Sequence, residues 1–361
     1  MRFVLIVLWL VFITGCSSMN PTSEVSNKPK ASGESGEIIF VMDSIHWKSE
    51  LGSALNETFR SKTPGLPRPE SLFTIRPIQP LDFKSILKNA KNIVIVYVMD
   101  NESNNSNRIK NFFTPNSLIE IANDTTKFLL SKKNEWARGQ EVMFLYGKSE
   151  QTLSRLIETN KDKLQKHFNQ IEKSRLNKSL YVSKELKGVG SLLSRNHGFS
   201  LRIPYGWRID YESPEDNFIW LRNPGLAVDK NIWICYTDYN GPEDFDNVVA
   251  LRNNVTRRYI FDNKEVNDTS YVVVEKLVPP IVREINFHGQ YAKEIKGLWK
   301  TNNLSMGGPF ISYVFADAAN GRLYIIDGFV YSPGKPQREF IRELETILWT
   351  FSTSMKDNSS I

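Results

Sequence analysis

The run Ile232-Trp233-Ile234-Cys235-Tyr236 is apolar at consecutive positions, so any strand it forms must be covered on both faces. That excludes a sheet with one wet face and calls for helices packed on either side. The neighbouring sequence supplies both. Strand signals at residues 199–203, 207–211, 218–222 and 232–239 are separated by Pro204-Tyr205-Gly206, Ser213-Pro214 and Asn223-Pro224-Gly225, which predicts hairpin connections. A helix is expected over 248–260. Strands resume at 271–275, 282–287, 291–299, 310–315 and 323–331, the last two meeting across Ala319-Asn320-Gly321, where Asn-Gly tolerates positive φ. Residues 339–351 close the chain as a helix with Phe340, Leu344, Leu348 and Phe351 on one face. Residues 198–353 are therefore expected to form an α+β domain, an antiparallel sheet covered by helices as a sandwich.

The first half has a different rhythm, and residues 37–187 read as an α/β domain. Residues 37–43 form a short apolar run ending in Asp43, and Trp47, Leu51, Leu55 and Phe59 put one stripe on a following helix. Pro64-Gly65-Leu66-Pro67-Arg68-Pro69 ends that helix, because each proline pushes its predecessor out of the helical region. A strand at 73–77, a short helix at 83–88 and a buried strand at 92–99 give the order βαβαβ. Beyond them come a polar loop at 100–111, a strand at 118–122, a helix at 126–130 and a strand at 141–146. Leu153, Leu156, Ile157, Leu164, Phe168, Ile171 and Leu176 predict one long amphipathic helix over 150–180. Its other face carries Arg155, Lys161, Lys163, Lys166, Lys173, Arg175 and Lys178, which suits a solvated surface or contact with anionic lipid head groups. Residues 188–198 read as the link between domains.

At the N-terminus, Arg2 precedes an apolar run over 3–13 and then Ile13-Thr14-Gly15-Cys16. The run is shorter than the roughly 20 apolar residues needed to span a bilayer. It reads as a lipoprotein export signal, 1–15, with Cys16 acylated as the mature N-terminus. An ordinary cleaved signal and an uncleaved anchor are the competing readings. Residues 16–36, rich in Ser, Asn, Pro, Lys and Gly, are expected to be a flexible tether.

With 40% hydrophobic and 24% charged residues, the chain is not globally disordered. Its net charge of +6 and pI near 9.0 favour anionic surfaces such as lipid head groups or acidic glycans. No nucleic-acid readout motif accompanies that charge, and no nucleic-acid partner is expected. If Cys16 is acylated, Cys235 has no partner for a disulfide, and its apolar run makes it a buried, inert thiol.

Catalytic signatures are missing. Gly147-Lys148-Ser149 follows a predicted strand, but Val142 stands where a phosphate loop needs glycine. Asp43 with His46, at a strand end, reads foremost as a helix cap with His46 exposed in the first turn, and an acid/base pair is the competing reading. His197 and His288 adjoin glycines and form no metal set, so neither metal nor cofactor is expected. Asp327, inside an apolar run, is either an acid/base carboxyl raised by burial or an acid bonded to backbone at a bulge. Trp207, Trp220, Trp233 and Trp299 are either glycan-stacking surfaces or core.

Two resemblances complete the reading. Ile203-Pro204-Tyr205-Gly206-Trp207 and the final helix ending in Thr350-Phe351-Ser352 are similar to PsbP-like sandwich domains, a fold-level likeness that carries no activity. Residues 37–47, 64–73, 92–98, 218–222, 289–300, Met306-Gly307-Gly308-Pro309-Phe310 and 327–333, leading into 338–348, resemble a lipoprotein family of the Bacteroidota built on domain of unknown function 4837, over nearly the whole mature chain. The resemblance implies a Gram-negative envelope lipoprotein and no catalytic residues. Ser17-Ser18-Met19-Asn20 lacks the acidic run such lipoproteins use for surface display, which points to an outer-membrane protein facing the periplasm. The expected role is binding or structural, with the membrane as partner through Cys16 and an envelope protein or glycan as a second. The alternatives are an envelope enzyme using Asp43, His46 or Asp327, and a glycan-binding module.

Overall fold

The computed structural model describes residues 27–260 and 270–353, so Cys16, the expected signal peptide and the first part of the tether lie outside it. The N-terminal half runs β1 (Glu37–Val41), α1 (Ser44–Trp47), α2 (Glu50–Phe59), β2 (Thr74–Ile78), β3 (Asn92–Val98), α3 (Asn104–Lys110), α4 (Pro115–Asn123), β4 (Leu129–Lys133), β5 (Glu141–Gly147), α5 (Glu150–Thr159) and α6 (Lys161–Leu180). Its sheet has the order β2-β1-β3-β5-β4, and only β4 pairs antiparallel. Alternate residues of β1, β3 and β5 enter opposite cores, as the pleat requires. Phe40, Val94 and Leu145 join Leu51, Phe59, Leu153 and Phe168 on one face, and Ile39, Ile95 and Phe144 join Phe83 and Ile121 on the other.

The C-terminal half continues with α7 (Lys187–His197), β6 (Phe199–Ser200), β7 (Arg208–Ser213), β8 (Phe218–Asn223), β9 (Asp229–Asp238), α8 (Val248–Tyr259), β10 (Val272–Val274), β11 (Ile281–Phe287), β12 (Gln290–Thr301), β13 (Gly307–Asp317), β14 (Arg322–Tyr331), α9 (Arg338–Leu348) and β15 (Ser352–Thr353). Eight strands form one antiparallel sheet in the order β10-β12-β13-β14-β9-β8-β7, with β11 also on β12. The doubly apolar run is β9, and both its faces are covered. Ile232, Ile234 and Tyr236 pack with α9 through Leu344, Ile347 and Leu348, whereas Trp233 and Cys235 pack with α8 through Val248 and Val255. Burial raises the Cys235 thiol to about 12, so it carries no thiolate at neutral pH.

Several local expectations give way to the fold. Residues 118–122 belong to α4, which starts where the Thr114 hydroxyl accepts the Ser117 N–H and Pro115 takes the first turn. Residues 129 and 130 are extended rather than helical, because pairing with β5 fixes them. The polar loop contains α3, capped by the Ser103 hydroxyl at 3.0 Å from the Ser106 nitrogen. The short helix at 83–88 is a 3-10 turn at Leu87–Asn89. The long helix breaks at Asn160, whose amide donates back to the Leu156 carbonyl at 2.9 Å. The supposed link is α7, ended by Gly198 at φ 73°, with Leu193 buried in the C-terminal core. The last part of the tether is docked, with Lys30 bridged to Arg138 and Ser32 to Ala90. No helix of the described residues is long and apolar enough to cross a membrane.

Candidate ligand cleft between the domains

Helices α6 and α9 each bury one stripe in their own domain and turn a second stripe toward the other. On α6, Leu164 and Phe168 enter the N-terminal core while Lys161, Gln165, Lys166, Asn169, Lys173 and Asn177 face outward at helical spacing. On α9, Ile341, Leu344, Ile347 and Leu348 close the C-terminal core while Arg338, Arg342, Glu345 and Trp349 line the opposing wall. Together with Arg283 on β11 and Glu294 and Lys296 on β12, they bound a cleft of about 960 Å³.

Its lining is strongly cationic. Lys62, Lys161, Lys166, Lys173, Arg283, Lys296, Arg338 and Arg342 stand against Asp162, Glu294 and Glu345. Within the cleft, Glu345 lies 2.7 Å from Lys173 across the domain boundary and 3.7 Å from Lys296, which is itself 3.3 Å from Glu294. The Tyr313 hydroxyl donates to Glu345 at 3.2 Å, and the Trp349 indole donates to Tyr313 at 3.0 Å. Burial alone would raise the Glu345 carboxyl, but Lys296 and Lys173 outweigh it and leave it at about 2. The same carboxylates hold Lys296 above its usual value against the pull of burial. Arg338 and Arg342 are committed to Glu339 and to the carbonyls of Ser71 and Leu72. Lys62, Lys161, Lys166 and Arg283, by contrast, have no ion pair among the described residues. The cleft therefore has a neutralised floor and unpaired cations around it.

The domains are also joined beside the cleft. Glu70 caps α9 from the other domain, its carboxylate accepting the Gln337 N–H at 2.6 Å and the Arg338 N–H at 3.0 Å. Leu66 of the proline-rich loop packs on the C-terminal core.

The residues singled out from sequence fall elsewhere. Asp43 caps α1, accepting the Ile45 N–H at 3.3 Å, and its neighbour His46 is buried at 8% exposure rather than solvated. Both belong to a polar cluster at the carboxyl ends of β1, β3 and β5, the edge where α/β folds bind ligands. Asn101 donates to His46 Nε2 at 2.9 Å, so Nδ1 carries the proton and donates to Glu150 at 2.6 Å. Ser103 donates to Asp43, which Asn101 also reaches at 3.4 Å. Burial opposes ionisation of Asp43, but the bonds from Ser103, Ile45 and Asn101 prevail and hold it below the usual range. Each ring nitrogen of His46 is used within the cluster, and neither Asp43 nor His46 lines the cleft.

Asp327 lies in the other domain, at 0% exposure under α8. Arg252 Nε donates to it at 2.7 Å and Nη2 at 3.3 Å, and Ser312 also donates. Burial raises its carboxyl above the usual range against the pull of Arg252 and Ser312. It reaches neither Asp43 nor the cleft. Trp207, Trp233 and Trp299 are buried, and the Trp220 indole donates to Asn231 at 3.0 Å, so these four form no exposed stacking row. Among the described residues no three His, Cys, Asp or Glu side chains gather as a metal site.

With this geometry in place, comparison with known proteins divides the chain at the same junction. Residues 189–350 match the family model of DUF4837, a domain of unknown function. The DUF4837 segment thus spans α9, β11 and β12, one wall of the cleft. Residues 31–181, which include the carriers at 37–47, 64–73 and 92–98, match a different domain of unknown function, DUF8532. That segment supplies α6, the facing wall. No curated protein matches the chain. Among solved structures, the cyanobacterial PsbP protein CyanoP of Synechocystis sp. PCC 6803 is 11% identical, covering 45% of this chain and 89% of its own, with a TM-score of 0.29. The Saccharomyces cerevisiae Ran-binding protein Mog1p is 10% identical, covering 43% and 90%, with a TM-score of 0.29. The lipid transfer and protein localization domain of human StarD13 is 10% identical, covering 46% and 95%, with a TM-score of 0.21. Scores this low say nothing of activity.

Proposed function

We propose that this protein is a lipid-anchored binding protein of the cell envelope, held through Cys16 and facing the periplasm, whose inter-domain cleft takes a compact polyanionic ligand. The observation that carries the reading is the charge of the cleft, eight cations against three acids, with Lys62, Lys161, Lys166 and Arg283 in no ion pair among the described residues. Unpaired cations lining a concavity focus the field onto an entering anion and lose little solvation until it arrives. The cleft is large enough for a phosphorylated sugar rather than a lone phosphate. The signal-like segment before Cys16 supports the anchor.

Calorimetric titration with tripolyphosphate and with a phosphorylated disaccharide tests the cleft. Saturable binding that weakens about tenfold or more in Lys161→Glu/Lys166→Glu supports it; no binding, or equal affinity in the variant, refutes it. Cys16→Ser tests the anchor separately. Loss of palmitate labelling with accumulation of precursor supports acylation, and unchanged labelling refutes it.

A further inference from the structure

The N-terminal domain carries a second cationic surface, at the end opposite the Asp43 cluster. The chain enters the fold there. Arg138 N–H donates to the Pro29 carbonyl at 2.7 Å, Ala31 N–H to Arg138 at 2.9 Å, and Ser32 N–H to Asn89 at 2.8 Å, which binds the entering segment to the amino ends of β3 and β5. Lys28 donates to the Asn134 carbonyl at 2.8 Å. Lys132 and Lys133 sit at the same end, because β4 runs antiparallel and places Lys133 opposite Glu141, the first residue of β5. Lys28, Lys30, Lys132, Lys133 and Arg138 are exposed. Opposing them are Glu34, Glu37, Glu135, which lies 3.9 Å from Lys132, and the buried Glu141 opposite Lys133. Lys88 lies over the half-buried Trp136 ring at 5.7 Å, and Ile86, one turn before Asn89, is 79% exposed.

We infer that this end of the N-terminal domain is a docking surface for the anionic head groups of the bilayer. Two observations select that occupant. First, Asn27 follows Cys16 by eleven residues, which reach at most about 40 Å fully extended, so the anchor holds this end and its cations near the lipid. Second, exposed lysines and arginine beside an aromatic ring and an exposed isoleucine have the composition of an interfacial footprint, each cation adding attraction to an anionic surface. The α6 face contributes little to this, because Lys161, Lys166 and Lys173 turn into the cleft. The inference rests on the Cys16 reading for its geometry, but its test does not need the anchor.

The test uses the chain from Ser17 onward, which keeps every core residue and lacks the acylation site. Its co-sedimentation is measured with phosphatidylglycerol vesicles and with phosphatidylcholine vesicles. The expected result is binding to the anionic vesicles only, reduced about tenfold or more in Lys28→Glu/Lys30→Glu/Lys132→Glu/Lys133→Glu and unchanged in Lys161→Glu/Lys166→Glu. Circular dichroism of both variants excludes misfolding. Absence of wild-type binding to phosphatidylglycerol, equal binding to both vesicle types, or retention by the fourfold variant overturns the inference. Loss of binding in the cleft variant also overturns it, because the cleft would then be the lipid-facing surface.

Discussion

Glu345 offers the sharpest test of how the two domains are held together. Its carboxylate is the hub on which Lys173 of one domain and Lys296 of the other converge, at 2.7 and 3.7 Å. A fall from the ordinary 4.5 to about 2 is worth about 3 kcal/mol in favour of the ionised, folded form. Because the folded value is depressed, that stability is present in full above pH 4.5 and is lost as pH falls toward 2. Glu345→Gln keeps an oxygen to accept from Tyr313 while removing the charge. It should therefore cost about 3 kcal/mol at pH 7 and almost nothing near pH 2. Urea unfolding reads the difference as a midpoint lowered by about 1 to 3 M at neutral pH. Lys173→Met should cost less, because Lys296 remains. A penalty for Glu345→Gln that is the same at pH 7 and pH 2.5, or below about 1 kcal/mol at pH 7, would refute the reasoning.

Three further outcomes follow from single contacts. Arg252→Met strands the fully buried Asp327 carboxyl and should cost about 3 to 5 kcal/mol in denaturant unfolding, whereas Arg252→Met/Asp327→Leu should recover most of it; equal losses would show that the pair is not the relevant interaction. Glu70→Ala removes the cap that one domain places on α9 of the other and should cost about 1 kcal/mol, seen as a lower Tm. Gly52→Ala would put a Cβ 2.0 Å from the Trp47 carbonyl oxygen, where α2 meets α1, and should destabilise by about 1 to 3 kcal/mol by the same measure.

The sequence made most of the architecture readable because burial patterns are local. The alternation and bulk of 232–239 and 323–331, and the stripe of Phe340, Leu344 and Leu348, dictate strands and a covering helix regardless of distant partners. What escaped was decided by tertiary pairing. Residues 129 and 130 become strand through β5, and 118–122 become helix because Thr114 and Pro115 start one before any strand alternation extends. The Asp43 cap was legible, since a strand followed by Asp and a helical stripe states its own chemistry. Burial of His46 was not, because Asn101 and Glu150 come from segments 55 and 104 residues away. The cleft was half legible. The basic face of α6 stood in the sequence, but on α9 the apolar stripe drew attention from Arg338, Arg342, Glu345 and Trp349, whose spacing marks a second face of the same helix.

Net charge is a property of the chain, whereas unpaired charge is a property of the fold. In the C-terminal domain many cations are spent on acids: Arg222 on Asp210 and Asp229, Arg258 on Asp216, Lys300 on Glu275, Lys230 on Glu343. Other cations collect in two places of different shape. In the cleft they line a partly open concavity in which Glu345 already pairs with Lys173 and Lys296. At the entry of the chain they spread over an open edge that no single small ion can satisfy. A concave cluster selects a molecule, and an open one selects a surface. The proposed cleft ligand and the proposed bilayer contact thus draw on different cations of a chain whose net charge is +6.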